Sequence, residues 1–225
     1  MRLCQLASGH RLLFDAIVPG GIGSSVLRYR SEVREELAQL EPAVNRYLST
    51  LFDNGSVVSR WRGTGIVNGE TASAFGGVGP TQRASGGDVD IRTFAPYGAY
   101  RWLSVRIAQS SAGDVFARCR VKKDEIHESF RLAREAIAQL GSAHFDDAQP
   151  LVVQAGAAVT VVEGPRGAEI VAIHTNGDGS ISRLHVISSS YRNWPLVVRA
   201  MEGNIVPDFP LVNKSFNLCY ACADR

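Results

Sequence analysis

The chain has 225 residues, of which 45% are apolar and 20% charged, with a formal net charge of +2. That composition predicts a packed globular core, and so balanced a charge gives no basis for nucleic acid as a partner. No run of about 18 apolar residues is present to cross a membrane. The opening MRLCQLASGHRLLFD has neither a continuous apolar stretch nor a small-residue cleavage site, so no signal peptide is expected.

The length suits one domain over residues 1–225. Residues 12–17 are apolar and stop at Pro19-Gly20-Gly21. Over residues 31–53, Val33, Leu37, Leu40, Val44, Tyr47 and Leu51 recur at helical spacing and predict an amphipathic helix. Pro42 is expected to bend it, and Asn54-Gly55 to end it. Residues 56–100 are rich in glycine and nearly aperiodic. Two short strand-like pieces (Val57-Val58 and residues 65–67) and one or two helical turns over residues 70–75 are expected within irregular backbone. So long a loop is usually functional or packed against something.

Residues 113–140 give the strongest helical pattern: Ile126, Phe130, Ala133, Ile137 and Leu140 share a face, Asp114 can cap the start and Gly141 the end. The basic cluster at residues 118–123 lies on it. Such a rod needs partner helices, so a bundle is implied. From residue 156 the pattern turns to strands, expected at residues 158–163, 168–175 and 182–188. Between the last two, NGDG at residues 176–179 is a hairpin signal. Short helices are expected at residues 193–201, with Pro195 in the first turn, and at residues 210–217.

Four cysteines, Cys4, Cys119, Cys219 and Cys222, are too few in so long a chain for a disulfide framework. Cys219 and Cys222 form a C-x-x-C pair, which reads first as a metal or redox site. Cys119 on the long helix reads as a small core residue. The five histidines share no ligand spacing. Arg83 is expected to hold the glycine-rich segment against a neighbouring element, and Glu70 and Asp90 to fix loops. No G-x-x-x-x-G-K-[ST] is present, so the glycines do not read as a phosphate loop.

Three segments stand out together: GTGIVNGETASAFGGVGPTQRASGGDVDIRTFAPYGAY at residues 63–100, VEGPRG at residues 162–167, and the terminal CYAC. In this order, and with HRLLFDAIVPGG at residues 10–21, they resemble the large subunit shared by nickel–iron hydrogenases and the 49 kDa subunit of respiratory complex I. The likeness is nearest to energy-converting hydrogenases of the formate hydrogenlyase type. It implies a mostly α fold, a helical bundle with a long central helix, plus a small antiparallel β hairpin or sheet near the C-terminus.

The resemblance also implies a site. In hydrogenases of this family two C-x-x-C pairs hold a nickel–iron centre, and Cys219 and Cys222 match the second pair. Arg166 matches the arginine that lies against the centre, where a guanidinium favours thiolate and donates hydrogen bonds. Complex I members usually carry lysine there and lack the cysteines. The first C-x-x-C has no counterpart in this chain, so a nickel–iron centre is expected only in a complete assembly and no metal in the isolated chain. Asn217-Leu218 stands where hydrogenases mostly have Asp-Pro, and Arg225 replaces a final histidine. The chain stops where removal of a hydrogenase C-terminal extension would leave it, which implies a mature or unprocessed end.

The implied function is heterolytic dihydrogen chemistry within a membrane-associated redox complex. The implied partners are an iron–sulfur small subunit and, indirectly, membrane subunits, with the chain peripheral on the cytoplasmic face of the membrane. The alternatives are a complex I-like, quinone-coupling subunit without nickel, and a non-catalytic scaffold or assembly protein.

Overall fold

The computed structural model describes residues 1–22, 29–140 and 151–223. Helix α1 (Arg2–Ser8) precedes a two-stranded ribbon, β1 (Ile17–Val18) and β2 (Gly21–Ile22), paired Ile17 to Ile22 and Val18 to Gly21. The turn between them contains Gly20 at φ 87°, a conformation that suits glycine. The sequence pattern did not reveal α1.

Helix α2 (Arg30–Phe52) runs unbroken through Pro42 and buries Val33, Leu37 and Leu48. Two residues of the predicted face, Leu40 and Tyr47, are instead exposed at 44% and 65%. The buried positions fall at i, i+4 and i+15, so the stripe drifts and leaves the three-residue steps at its edge. Asn54 does not close α2 but opens α3 (Gly55–Trp61) by accepting a hydrogen bond from the Val57 amide at 3.2 Å. Val57 and Val58 are therefore helical and not a strand, because a side-chain cap outweighs the weak preference of two β-branched residues.

The glycine-rich stretch is built of very short helices: α4 (Gly69–Ala74), α5 (Gly79–Arg83) and α6 (Ile91–Phe94), followed by a 3-10 turn at Gly98–Arg101. Asn68 caps α4 and Asp90 caps α6. Residues 65–67 form no strand; the Val67 amide donates to the Gly113 carbonyl at 2.9 Å. Glu70 fixes no loop but stands exposed in the first turn of α4.

Helix α7 (Val115–Gln139) spans 25 residues, about 37 Å at about 1.5 Å per residue. Asp114 caps it by accepting from the Ala117 amide at 2.7 Å. The proposed stop at Gly141 lies outside the described residues. The helix serves two cores. Its C-terminal half brings Phe130, Ala133 and Ile137 against Val33 and Leu37 of α2 and Leu3 and Leu6 of α1. Its first turn brings Val115 into a larger core with Val67, Leu196, Val212 and Phe216. Cys119 is half-buried against that core.

Strands β3 (Gly156–Gly164), β4 (Gly167–Thr175) and β5 (Ile181–Ile187) form an antiparallel sheet with β4 in the middle. The β4–β5 turn falls at the NGDG sequence, with a register irregularity at His174/Thr175. The β3–β4 turn is tight: Gly164 pairs with Gly167, leaving Pro165 and Arg166 at its tip. Helix α8 (Ser189–Ala200) begins four residues before the expected start and contains Pro195 in its interior. Ser188 caps it, accepting from the Tyr191 amide at 3.1 Å, so the helix starts at a serine and not at the proline. After a 3-10 turn (Val206–Asp208), α9 (Phe209–Phe216) ends at Asn217 in the left-handed conformation, φ 57°. No helix among the described residues is long and apolar enough to cross a membrane.

Candidate functional site

The site lies where the β3–β4 turn, the start of α8 and the terminal tail meet. Asn217 turns the chain out of α9. The tail then docks on the three serines that open α8. The Cys219 amide donates to the Ser190 hydroxyl at 3.0 Å, and the Ser188 hydroxyl donates to the Cys222 carbonyl at 3.0 Å. Between them, the Ser189 amide and hydroxyl donate to the Glu169 carboxylate of β4. Tyr220 completes the anchor: its hydroxyl accepts from Asn213 at 2.6 Å and its ring lies 5.2 Å from that of Trp194.

These anchors place both sulfurs together. Cys222 Sγ is 2.7 Å from Cys219 Sγ, and the Cys222 amide donates to Cys219 Sγ at 3.4 Å. Cys219 is half-buried and Cys222 exposed. The hydrogen bonds from the Cys222 thiol and amide hold the Cys219 thiol below its ordinary pKa, and the positive charge of Arg166 adds to the effect. Cys222 moves the other way: it gives its proton to that bond, and burial, the Cys219 charge and Glu169 raise it further against the pull of Arg166. Of the pair, Cys219 is therefore the sulfur that ionises more readily, and Cys222 is the one that donates a hydrogen bond to it.

Arg166 is tied to the tail, its Nε donating to the Asn217 carbonyl. Its own carbonyl accepts from Asn193 Nδ2 at 3.2 Å. The buried Asn193 also brackets Val78 of the glycine-rich segment, accepting from its amide at 3.0 Å and donating to its carbonyl at 3.1 Å. The structure therefore brings Arg166, Cys219 and Cys222 together, and Asn193 joins them to the glycine-rich segment.

Behind the turn lies a cavity of about 360 Å³ lined by Arg83, Arg92, Lys122, Glu125 and Glu163, among others. Arg83, 1% exposed, donates to Glu125, to Glu163 at 3.0 Å and to the Val89 carbonyl at 3.0 Å, and pairs with Asp90 at 3.2 Å. It does tie the glycine-rich segment to α7 and β3. Asp90 is fully buried, and its bonds to Arg92 with the charge of Arg83 hold its carboxyl below the ordinary value against the cost of burial. Burial pushes Glu163 up despite Arg83. Burial likewise lowers Lys122 to about 8, while its ammonium donates to the Ser215 carbonyl. Glu163 and Arg166 thus secure the two ends of one turn, the first to the charge cluster and the second to the tail.

Several of these residues escaped the sequence reading. Ser188, Ser190, Glu169 and Asn193 belong to none of the three segments compared there, and Lys122 appears only within the basic cluster at residues 118–123. Only the Ser188-Ser189-Ser190 run carried a signal, as a helix-start pattern. Among the described residues no three or more His, Cys, Asp or Glu side chains converge as a metal site. Arg225 lies outside the described residues.

Long packed helices and a three-stranded antiparallel sheet closing on a glycine-rich segment make up the fold that carries this site. The whole chain superposes with a TM-score of 0.91 on 63% of a chain in the structure of the membrane-bound sulfane sulfur reductase, an archaeal respiratory membrane complex, at 22% identity. The chain belongs to the family of the 49 kDa subunit of respiratory-chain NADH dehydrogenase, whose model matches residues 1–154 and 143–225. Relatives carry both hydrogenase and NADH–quinone oxidoreductase names. The carbon monoxide-induced hydrogenase of Rhodospirillum rubrum is 31% identical over 96% of this chain and 61% of its own length. Formate hydrogenlyase subunit 5 of Escherichia coli is 27% identical over all of this chain and 40% of its own. An NADH-quinone oxidoreductase subunit of Clostridium beijerinckii is 25% identical over 99% of this chain and 61% of its own. The chain therefore spans between two fifths and two thirds of the length of these relatives.

Proposed function

We propose that the chain supplies one pair of thiolate ligands, Cys219 and Cys222, and the adjacent guanidinium of Arg166 to a nickel–iron centre of the hydrogenase type in a complete membrane-associated assembly. The observation that carries this reading is the docked pair: two sulfurs 2.7 Å apart, one half-buried and one exposed, under the charge of Arg166. Two soft thiolates suit such a centre in donor chemistry. They fill half of a four-thiolate set, and the other pair comes from outside residues 1–225. When bound, the centre supplies heterolytic cleavage or formation of dihydrogen. The residues of this chain do the rest. Cys219 is held as the readier thiolate, Cys222 keeps a proton at its sulfur, and Arg166 stabilises negative charge at both. The partners on this reading are an iron–sulfur small subunit that carries electrons and, through it, membrane subunits. They would hold the chain on the cytoplasmic face of the membrane.

A second reading is favoured by the family match itself, which is to an NADH dehydrogenase subunit: a quinone-coupling, complex I-like subunit without nickel, its cysteines residual. Metal analysis separates the two. The chain is co-expressed with a chain supplying the other C-x-x-C pair and with the small subunit, and the assembly is purified. Nickel is expected with the wild-type chain and lost with Cys219→Ser or Cys222→Ser while the assembly stays intact. An intact assembly without nickel, whose electron transfer to quinone survives both substitutions, overturns the first reading in favour of the second.

A further inference from the structure

We propose that Cys219 and Cys222 form a reversible intramolecular disulfide, held ready by the docked tail, which controls whether the pair is available as metal ligands. The two sulfurs stand 2.7 Å apart as free thiols, and a disulfide bond is about 2.05 Å, so closure needs less than about 1 Å of sulfur movement. The backbone at both positions is already fixed, Cys219 by Ser190 and Cys222 by Ser188. Cys222 is exposed, so an oxidant can arrive from solvent.

The oxidant is a small-molecule disulfide such as oxidised glutathione. One cysteine sulfur attacks it, takes one half as a mixed disulfide and releases the other as a thiol. The second cysteine sulfur then displaces the remaining glutathione and closes the bond between Cys219 and Cys222. The pair loses two electrons and two protons; glutathione disulfide gains them and leaves as two thiols. In the closed state neither sulfur is a thiolate, and the thiolate is the metal ligand. A thiol reductant reopens the pair. The switch acts on the chain before a second ligand pair covers the site. It goes beyond the proposed function, and its test uses no metal, so either can fail alone.

The full chain, freed of metal, is incubated with oxidised glutathione at neutral pH, alkylated, cut with trypsin and weighed. Both cysteines fall on one peptide, residues 215–225, and Cys4 and Cys119 on two others. The expected result is loss of two hydrogens from the tail peptide, restored by dithiothreitol, with Cys4 and Cys119 still alkylated. Cys219→Ser and Cys222→Ser are each expected to stop at the glutathione adduct. Ser190→Ala loosens the dock and is expected to slow closure about fivefold, the factor that corresponds to one lost hydrogen bond of about 1 kcal/mol. A lasting glutathione adduct on the wild-type tail, disulfide-linked dimers or an unchanged tail peptide would overturn the proposal. So would closure at the same rate in wild type, Ser190→Ala and the urea-unfolded chain, since the fold would then contribute nothing.

Discussion

Gly79 and Gly167 lie back to back: a Cβ on Gly79 would fall 2.4 Å from the Cα of Gly167, and a Cβ on Gly167 would fall 2.7 Å from the amide nitrogen of Gly79. The glycine-rich segment and the β3–β4 turn meet here backbone to backbone, which sets how far the turn carries Arg166 toward the tail. Both residues have positive φ, 62° and 126°. Gly79→Ala therefore combines about 1–2 kcal/mol of left-handed strain with about 1–3 kcal/mol of overpacking. Gly86 has φ 96° but open space around it, so Gly86→Ala is expected to show strain alone. Urea denaturation of the two variants checks this; equal losses would show that the close contact does not constrain the fold.

Arg83→Met is expected to destabilise the fold by about 3–5 kcal/mol, the cost of leaving buried carboxylates without their partner. The loss has a pH signature. Burial already raises Glu163, and Arg83 opposes that rise, so in the variant Glu163 rises further. A carboxyl raised in the folded state favours folding below its unfolded pKa and loses that advantage as pH climbs through the folded value. The deficit of Arg83→Met should therefore shrink as pH falls from 7 toward 5. A deficit independent of pH would place its origin in packing and not in the carboxylates.

Lys122 titrates in an accessible range. Its folded pKa of about 8 lies below its ordinary value of 10.5, so between these the unfolded chain binds more protons and stability rises with pH. Other groups titrate nearby, including Cys119, which burial raises, so the readout is the difference between the wild-type and Lys122→Met chains. The variant is expected to gain relative stability at pH 7 and to lose that gain by pH 10. A constant difference across that range would mean that Lys122 stays charged.

The thiol pair gives a ranked prediction. Hydrogen bonds from Cys222 lower Cys219 first and Arg166 acts after them. Cys222→Ala removes the thiol donor, so it should slow alkylation of Cys219 at neutral pH more than Arg166→Leu does, and both should be slower than wild type. The pH dependence of the iodoacetamide reaction measures each shift. If Arg166→Leu proves the slower of the two, charge and not hydrogen bonding controls the thiolate. If it matches wild type, Arg166 has no electrostatic hold on the pair.

What the sequence disclosed follows the range of the signals. Helices α2 and α7 were legible because apolar periodicity accumulates over more than twenty residues. The sheet of β3, β4 and β5 was legible from β-branched runs and NGDG, whereas the two-residue strands β1 and β2 were not. The short helices α5 and α6, of five and four residues, are too brief for any period, and caps and tertiary contacts place them. Val57-Val58 and the start of α8 were misjudged because a local preference was weighed without the cap beside it, Asn54 in one case and Ser188 in the other. Within the site, Arg166 and the cysteine pair were visible as motifs. Arg118 was visible only as one of a basic cluster, yet it is 1% exposed and donates to the Gly65 and Gly113 carbonyls at 2.8 and 2.7 Å and to Ser215 at 2.8 Å. Backbone acceptors leave no trace in the one-letter code, so such a residue reads as a surface charge.

Asn193 carries a kinetic consequence. Its partners Val78 and Arg166 lie 115 and 27 residues away along the chain, so none of its three hydrogen bonds can form until distant segments have met. Contacts of that separation slow folding because the intervening chain must be ordered first. The long helices rest on local hydrogen bonds, whereas the arginine turn and the ground on which the cysteine tail docks are joined by these distant ones. If those bonds form after the transition state, Asn193→Ala speeds unfolding more than it slows folding; stopped-flow kinetics checks this, and an equal slowing of folding would place them in the transition state. In the first case the chemistry of the tail becomes available only in chains that have already finished folding.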